Sequence, residues 1–464
     1  MSSYSALHER IYGLLPIFLQ NLIVTRHGRK RWGKETSNRF QQLVQKLREM
    51  QYANIEEISA YSRQRLSKVL RAASETDYYS SLLPSNSIID KEPRKVLSDI
   101  PVLEREIVRT ECQRFINREY KGNLIQHGTS GTTGTPLQTY WTKESMEWER
   151  ALIWRHRLET GLDYANLWKG MLGGHRIVPL KQKSPPYWRI NRSAKQLYFS
   201  TYHLSSATAI DYRRAMQEFG VRILEGYPSV LYALALSMER IDTSFPLEAV
   251  FFGAEPLLDF QRKTIEKVFQ CYVWDYYGLT ERVASATEYP CRKGLHENWE
   301  NCFLEVVDAD GIPVETGEYG ELVGTSLNNL GFPLLRYRTG DMTRFIPDKC
   351  KCGRHSRRIE PVDTKREDLL VMPGGFLLSA SNLTFPFKEV DNIIESQLYQ
   401  KYPEYLEVRI IPSEEYSEED GQKLLKGIRD MIPETVDVTL KKVKSIPRTK
   451  NGKFRFCVSE ITHD

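Results

Sequence analysis

The stretch "LEAVFFGAEP" (Leu247–Pro256) decides how this chain folds. Its apolar run stops at Gly253 and reads as a strand, and "LLDFQRKTIEKVF" (Leu257–Phe269) after it has a helical pattern. The same arrangement stands on either side. Upstream, "GVRILEGYP" (Gly220–Pro228) leads into "PSVLYALALSMER" at helical spacing, and downstream "CYVWDYYGLTE" (Cys271–Glu281) repeats the strand and its loop. Strand, helix, strand in this order predicts an α/β region with parallel pairing. Ligands in such sheets sit beyond the carboxyl ends of the strands, where "EGYP", "GAEP" and "YGLTE" all fall.

Outward from this centre the texture changes. Lys34 to Thr76 is nearly free of Pro and Gly and reads as helices, with Leu43, Leu47 and Met50 on one stripe. From Asn301 to Arg344 the pattern alternates and carries the turn signals "DADG" and "GEYG", so it reads as β. After about Lys365 comes a smaller α+β region: "LEVRIIP" as a strand, "EEDGQKLLKGIRDMI" as a helix, "VDVTLKKVKSI" as a strand. At 464 residues, two or three domains are expected.

Composition narrows the function classes. Lys and Arg number 65 against 60 Asp and Glu, a net +5, and no basic block is interleaved with stacking aromatics, so nucleic acid is not expected. Seven cysteines and no secretory pattern point to a reducing cytosol, not a disulfide framework. "IYGLLPIFLQNLIVT" (Ile11–Thr25) is interrupted by Pro16, Gln20 and Asn21 and falls short of the ~20 apolar residues that span a bilayer. Arg26, Arg29, Lys30 and Arg31 follow directly, which leaves open both a docked N-terminal helix and a membrane-surface helix with a basic flank at the inner face of the membrane.

Four stretches carry chemistry. "TSGTTGT", Thr129, Ser130, Gly131, Thr132, Thr133, Gly134 and Thr135, offers unshielded N–H groups and hydroxyls to phosphate oxygens, although it lacks the GK[ST] ending of a Walker A loop; a flexible turn is the alternative. Glu281 stands just past a strand, where it can hold Mg²⁺ on a nucleotide or simply favour a helix N-terminus. Asp341 in "YRTGD" can accept both hydroxyls of a ribose or belong to an ordinary turn. Lys453 in "PRTKNGK" follows Asn451-Gly452, a hairpin signal, and can be delivered into a cleft or stay solvated.

Taken together, "TSGTTGTP", "GAEP", "YGLTE", "YRTGD" and "PRTKNGK" resemble the adenylate-forming superfamily of acyl-activating enzymes, nearest its phenylacetate–CoA ligase branch with its capsule-biosynthesis (CapK-type) members. The likeness runs from about Tyr52 to Phe456. It implies a large N-terminal α/β domain of layered sheets with a β-rich subdomain, and a small mobile α+β C-terminal domain. The divisions are 1–119 (helical segment on the core), 120–366 (adenylation core) and 367–464 (lid after a hinge). It also implies ATP-dependent activation of a carboxylic acid to an acyl-adenylate and pyrophosphate, then transfer to a thiol such as CoA, an amine, or a carrier-protein phosphopantetheine. By the same likeness Thr129 to Thr135 cradle the phosphates. Gly253, Ala254, Glu255 and Pro256 line the adenine and acyl pockets, with Tyr276 and Gly278 beside them. Tyr277 packs on adenine, Thr280 contacts the α-phosphate and Glu281 holds Mg²⁺. Asp341 binds the ribose, Lys453 bridges carboxylate and α-phosphate, Arg366 contacts the nucleotide, and Asp368 is the hinge.

The sequence departs from the family pattern in three places. Thr135 stands where a lysine is usual, Lys365 and Leu369 alter the hinge motif, and Gly374 replaces a basic residue that CoA-using members often carry. The last weakens CoA as acceptor, and the first leaves the phosphates one cation short; a catalytically degenerate nucleotide-binding module is the reading from another class. The N-terminal "YGLLPIFLQN" resembles capsule-cluster relatives and points toward surface-polysaccharide biosynthesis. Tyr202, Tyr227, Trp274 and Tyr276 are candidates for an aromatic pocket or for plain core.

Two short-spaced pairs, Cys291/His296 in "CRKGLH" and Cys350/Cys352 in "CKCG", have the Cys₃His composition of a structural zinc site. Relatives in the branch carry such residues at these places. Cys302 is an alternative fourth ligand, and four unrelated reduced residues the alternative to zinc.

Overall fold

The computed structural model describes residues 11–128, 137–173, 177–179, 181–201, 203–205, 207–241, 243–254, 257, 259–362, 369–373, 377–387, 390, 392–447 and 456–461. Helices α1 (Ile17–Glu35), α2 (Asn38–Met50) and α3 (Ile55–Ser74) come first. The Ser37 side chain accepts from Phe40 N at the start of α2, and Asn54 with Glu57 forms a capping box on α3. Helix α2 buries Phe40, Val44 and Leu47 against α4 (Lys143–Leu158), while Leu43 and Met50 are only partly covered. Three short helices (Asn86–Lys91, Pro93–Ser98 and Arg105–Thr110) lead to the hairpin β1 (Leu124–Gly128) and β2 (Gln138–Thr142).

The centre is a six-stranded sheet of β3 (Trp168–Leu172), β4 (Trp188–Asn191), β5 (Gln196–Phe199), β6 (Val221–Gly226), β7 (Ala249–Phe252) and β8 (Tyr272–Trp274), in the order β4-β5-β3-β6-β7-β8. All pairings are parallel except that of the edge strand β4. Crossovers run through α5 (Ala209–Phe219), α6 (Pro228–Arg240) and α7 (Asp259–Phe269). Strand β7 is buried at every residue, and its side chains alternate between two cores. Val250 and Phe252 join a cluster with Met216, Leu234 and Phe269 of the crossover helices, whereas Ala249 and Phe251 join Leu47 and Trp154 of α2 and α4. Helices therefore cover both faces, as a parallel sheet requires. The predicted strand–helix alternation is observed, while β3, β4 and β5, whose short runs gave no strong period, were not foreseen.

The β-rich part has two sheets. One orders β9 (Tyr276–Gly278), β10 (Ser285–Glu288), β11 (Leu295–Glu297) and β15 (Arg358–Ile359) as β15-β11-β10-β9; the other is β12 (Cys302–Val307), β13 (Gly320–Ser326) and β14 (Tyr337–Thr343). Further along, β16 (Leu369–Val371) pairs with β17 (Leu377–Ser379). Strands β18 (Ile393–Tyr402), β19 (Tyr405–Pro412), β20 (Asp437–Lys442) and β21 (Cys457–Ser459) form a sheet against α8 (Glu418–Arg429). Residues between 370 and 457 make an apolar core of their own.

The β-rich sheets approach each other closely at Gly324 on β13, where an added Cβ would collide with the Val283 carbonyl oxygen and crowd Ala284. Gly324→Ala should therefore cost about 1–3 kcal/mol, as overpacking of a filled interior does. Chemical denaturation checks this; an unchanged midpoint would show that the sheets can part without penalty.

Candidate active site and a four-ligand cluster

A cleft of about 370 Å³ opens at the carboxyl ends of the parallel strands. Gly226 and Tyr227 line it after β6, Phe252, Gly253 and Ala254 after β7, and Tyr276, Gly278, Leu279 and Thr280 after β8. Two non-glycine residues here adopt left-handed backbone, Ala254 at φ 71° and Arg282 at φ 60°. Such conformations are sparsely populated and gather at functional turns.

Two sequence-predicted residues far apart in the chain meet beside this cleft, Tyr277 standing between the lining residues Tyr276 and Gly278. The Tyr277 hydroxyl donates to Asp341 Oδ2 at 2.7 Å, and the Asp341 N–H donates to Thr339 Oγ1 at 3.1 Å. Burial, then the Asp341 carboxylate, hold the Tyr277 hydroxyl well above its usual range. Glu281 is buried; Tyr337 donates to its Oε1 at 3.0 Å and Arg105 Nη1 lies 3.7 Å away. Thr280 is fixed through its carbonyl, which accepts from Trp141 Nε1 at 2.9 Å.

Other expected residues fall outside the described part: Thr129, Ser130, Gly131, Thr132, Thr133, Gly134, Thr135, Tyr202, Glu255, Pro256, Lys365, Arg366, Asp368, Gly374 and Lys453. What is described at the Gly/Thr stretch is its two ends: Gly128 and Gln138 sit opposite each other in the β1–β2 ladder. Of the four candidate pocket aromatics, Tyr227 and Tyr276 line the cleft, while Trp274 is buried in the core beside Phe251.

Several site residues were not foreseen. His127 stacks on Trp141 with ring centroids 3.3 Å apart, and the Arg282 guanidinium lies 3.8 Å from the Trp141 centroid. Arg282 also donates to the Ser145 carbonyl and to Glu149. Burial and the Arg282 charge push the His127 imidazole down to about 4. Deeper in the cleft lining, Arg157 Nη2 pairs with Glu225 Oε2 at 3.2 Å, and Tyr164 donates to Glu225 Oε1 at 2.7 Å. Arg282 adjoins Glu281 in sequence, and Glu225 stands in the "EGYP" loop, so position was their only signal; Trp141 and Arg157 gave none.

His296 stands on the same four-stranded sheet as Tyr277, and the ligand atoms of Cys291, His296, Cys350 and Cys352 all lie within 4.8 Å of one another. Cys350 Sγ is 3.4 Å from Cys291 Sγ, and Cys352 Sγ is 3.5 Å from His296 Nε2. The other ring nitrogen, Nδ1, is 2.9 Å from Ser356 Oγ, which fixes the ring orientation. Burial and the Arg354, Arg358 and Arg155 charges push His296 down to about 3, so the imidazole is neutral, as a ligand must be. Cys302 is not in the cluster; it is buried and bonded to Ser285. Arg354 ties the cysteine loop to the helices, bonding Gln51 and Glu159 and stacking 3.6 Å from the Tyr289 ring.

Residues 370–460 match the family model "CapK C-terminal domain". Protein CapK of Staphylococcus aureus is 26% identical over 97% of this chain and 99% of its own length. A phenylacetate-coenzyme A ligase of Thermus thermophilus is 27% identical over 71% of this chain and 79% of its own. These likenesses bear out the resemblance to the phenylacetate–CoA ligase-like branch of the adenylate-forming superfamily. The chain's fold is that of a solved 2-hydroxyisobutyryl-CoA ligase: the complex with 2-HIB-AMP and CoA superposes with a TM-score of 0.58, at 18% identity, over 88% of this chain and 91% of that one.

In this adenylate-forming ligase the residue before the Tyr276–Tyr277 pair is itself unusual. Desolvation, then the neighbouring Glu288 carboxylate, push Asp275 up to about 7, against the partial relief of Arg262, whose Nη2 is 3.0 Å from both Glu288 oxygens. The folded chain thus holds the Asp275 proton more tightly than the unfolded chain. The stability this contributes is full below the unfolded carboxylate range and is lost as pH rises through the folded value. The stability of Asp275→Asn relative to the parent should therefore rise with pH, its Tm advantage being clearly larger near about pH 8 than near about pH 5. A Tm difference that does not change with pH contradicts this.

Proposed function

We propose that the chain activates a carboxylic acid with ATP, giving an acyl-adenylate and pyrophosphate, and passes the acyl group to a second nucleophile. The observation that carries this reading is the Tyr277–Asp341 hydrogen bond beside the cleft that Tyr276, Gly278 and Thr280 line, with buried Glu281 next to Thr280 in the chain. In this reading Asp341 offers carboxylate oxygens to the ribose hydroxyls and Tyr277 an aromatic face to adenine. Glu281, a buried carboxylate oriented by Tyr337, fits Mg²⁺, which supplies positive charge to the phosphates when bound. A substrate carboxylate oxygen attacks the α-phosphorus and the bond to the pyrophosphate oxygen breaks. The protein's part is then alignment and charge stabilisation. The motif resemblance gives Thr129–Thr135 the phosphates, Gly253–Pro256 the adenine and acyl walls, Arg366 the nucleotide, Asp368 the hinge and Lys453 the α-phosphate and carboxylate.

CoA is the leading acceptor, supported by the relatives named above; an amine or a carrier-protein phosphopantetheine is the second reading, favoured by Gly374. The Arg157–Glu225 pair in the cleft lining supports an acid that bears a polar group, since both side chains offer it hydrogen-bond partners. The likeness to Protein CapK along nearly the whole chain supports a role in surface polysaccharide, and ATP use with seven free cysteines supports the cytoplasm. Lys453→Ala should lower acid-dependent pyrophosphate release by about 10²-fold or more while leaving Tm unchanged. The measurement is a pyrophosphate assay over a panel of acids. Release unaltered in the variant removes Lys453 from the reaction, and no release with any acid turns the reading to a degenerate nucleotide-binding module.

The Cys₃His cluster supports a structural Zn²⁺: three thiolates and an imidazole fill a tetrahedral shell and leave no position for substrate. Protein purified without added metal should hold about one zinc per chain, and Cys350→Ser/Cys352→Ser should lose it and unfold at lower temperature. Metal analysis showing substantially less than that in the parent sinks the assignment.

A further inference from the structure

Helix α1 is an amphipathic helix with its faces reversed. Its polar side chains point at the protein and serve the open edge of the central sheet. Asn21 Oδ1 accepts from the Ile190 N–H at 2.9 Å, and Thr25 Oγ1 donates to the Ile190 carbonyl and accepts from the Arg192 N–H. Buried Gln20 accepts from Arg189 Nε at 2.6 Å, and Gly28 lies so close to Asn191 that a Cβ would collide with it. The helix thus covers the free hydrogen-bonding edge of β4, a place that would otherwise invite pairing with another chain.

The apolar side chains of the same segment face outward. Leu14 is 86% exposed, Phe18 69%, Leu22 62% and Ile11 52%. At helical spacing the ridge Phe18–Leu22 continues as Arg26 and Lys30, so one outer face changes from apolar to basic along its length. Ile11 to Lys34 contains five Lys or Arg (Arg26, Arg29, Lys30, Arg31, Lys34) and no Asp or Glu. Among the described residues, only Arg31 of these five makes an ion pair, with Glu35. No helix among the described residues is long and apolar enough to cross a membrane.

We propose that the outer face of α1, with the turn that precedes it, docks on an anionic phospholipid surface, the Ile11–Ile23 part of this segment at the level of the acyl boundary and Arg26, Arg29 and Lys30 against the headgroups. The wide apolar face needs a cover, and the cations without acids choose an anionic one. A second copy of this chain fits worse, because two such faces would bring like charges together.

The test is co-sedimentation of the full chain with vesicles of phosphatidylcholine alone and of phosphatidylcholine mixed with phosphatidylglycerol. The parent should pellet with the mixed vesicles, less so as salt rises. Phe18→Ser/Leu22→Ser and Arg26→Glu/Lys30→Glu, all at exposed positions, should each lower the partition coefficient about tenfold or more, with Tm unchanged. Parent and variants pelleting alike, or neutral vesicles binding as strongly as anionic ones, overturns the proposal. So does a dimer in light scattering that Phe18→Ser/Leu22→Ser makes monomeric, which would assign the face to a second copy.

Discussion

The rest of the structure depends on the burial of β7. A four-residue strand with every side chain buried must have helices on both sides, because Val250 and Phe252 point to one face and Ala249 and Phe251 to the other. The two layers fix α2 and α4 on one side and the crossover helices on the other. They also force the connections after β6, β7 and β8 out at one edge, since parallel strands share a direction. The cleft is the consequence. Gly226 ends β6 there, Gly253 follows β7 and Gly278 ends β9, and Ala254 turns at positive φ to leave the sheet.

The β-rich part then brings a second set of groups to that edge. Strand β9 carries Tyr276 and Tyr277 straight out of the end of β8, and β14 presents Asp341 across from them. The register across the sheet links this mouth to the Cys/His cluster: His296 on β11 stands opposite Thr287 on β10, which stands opposite Tyr276 on β9. Cluster and cleft are two ends of one short sheet. Arg354 holds the cysteine loop to Gln51 and Glu159, so the helices that cover the central sheet also brace the cluster.

Much of the site was legible because its chemistry needs particular residue types beside particular turns. Glu281, Asp341 and each of the two Cys/His pairs stand in short motifs whose spacing is local, and local spacing survives in a sequence. The Trp141–Arg282 stack and the Arg157–Glu225 pair did not show in advance. Their partners are 141 and 68 residues apart, and a lone Trp on a strand or Arg on a helix has many bland explanations. Helix α1 was legible as apolar and basic, yet its orientation was not: only the open edge of β4 explains why Gln20, Asn21 and Thr25 turn inward.

The sequence by itself determined the parallel α/β centre, the β-rich stretch after Asn301, the small terminal α+β region and the motifs that resemble adenylate-forming enzymes. These follow from periodicity and turn chemistry, which act over a few residues. Tertiary structure alone decided that Tyr277 reaches Asp341, that Cys291 and His296 meet Cys350 and Cys352, and that Cys302 stays apart. Such meetings depend on sheet register and on which face of each element is buried. Both are fixed only when the whole core packs.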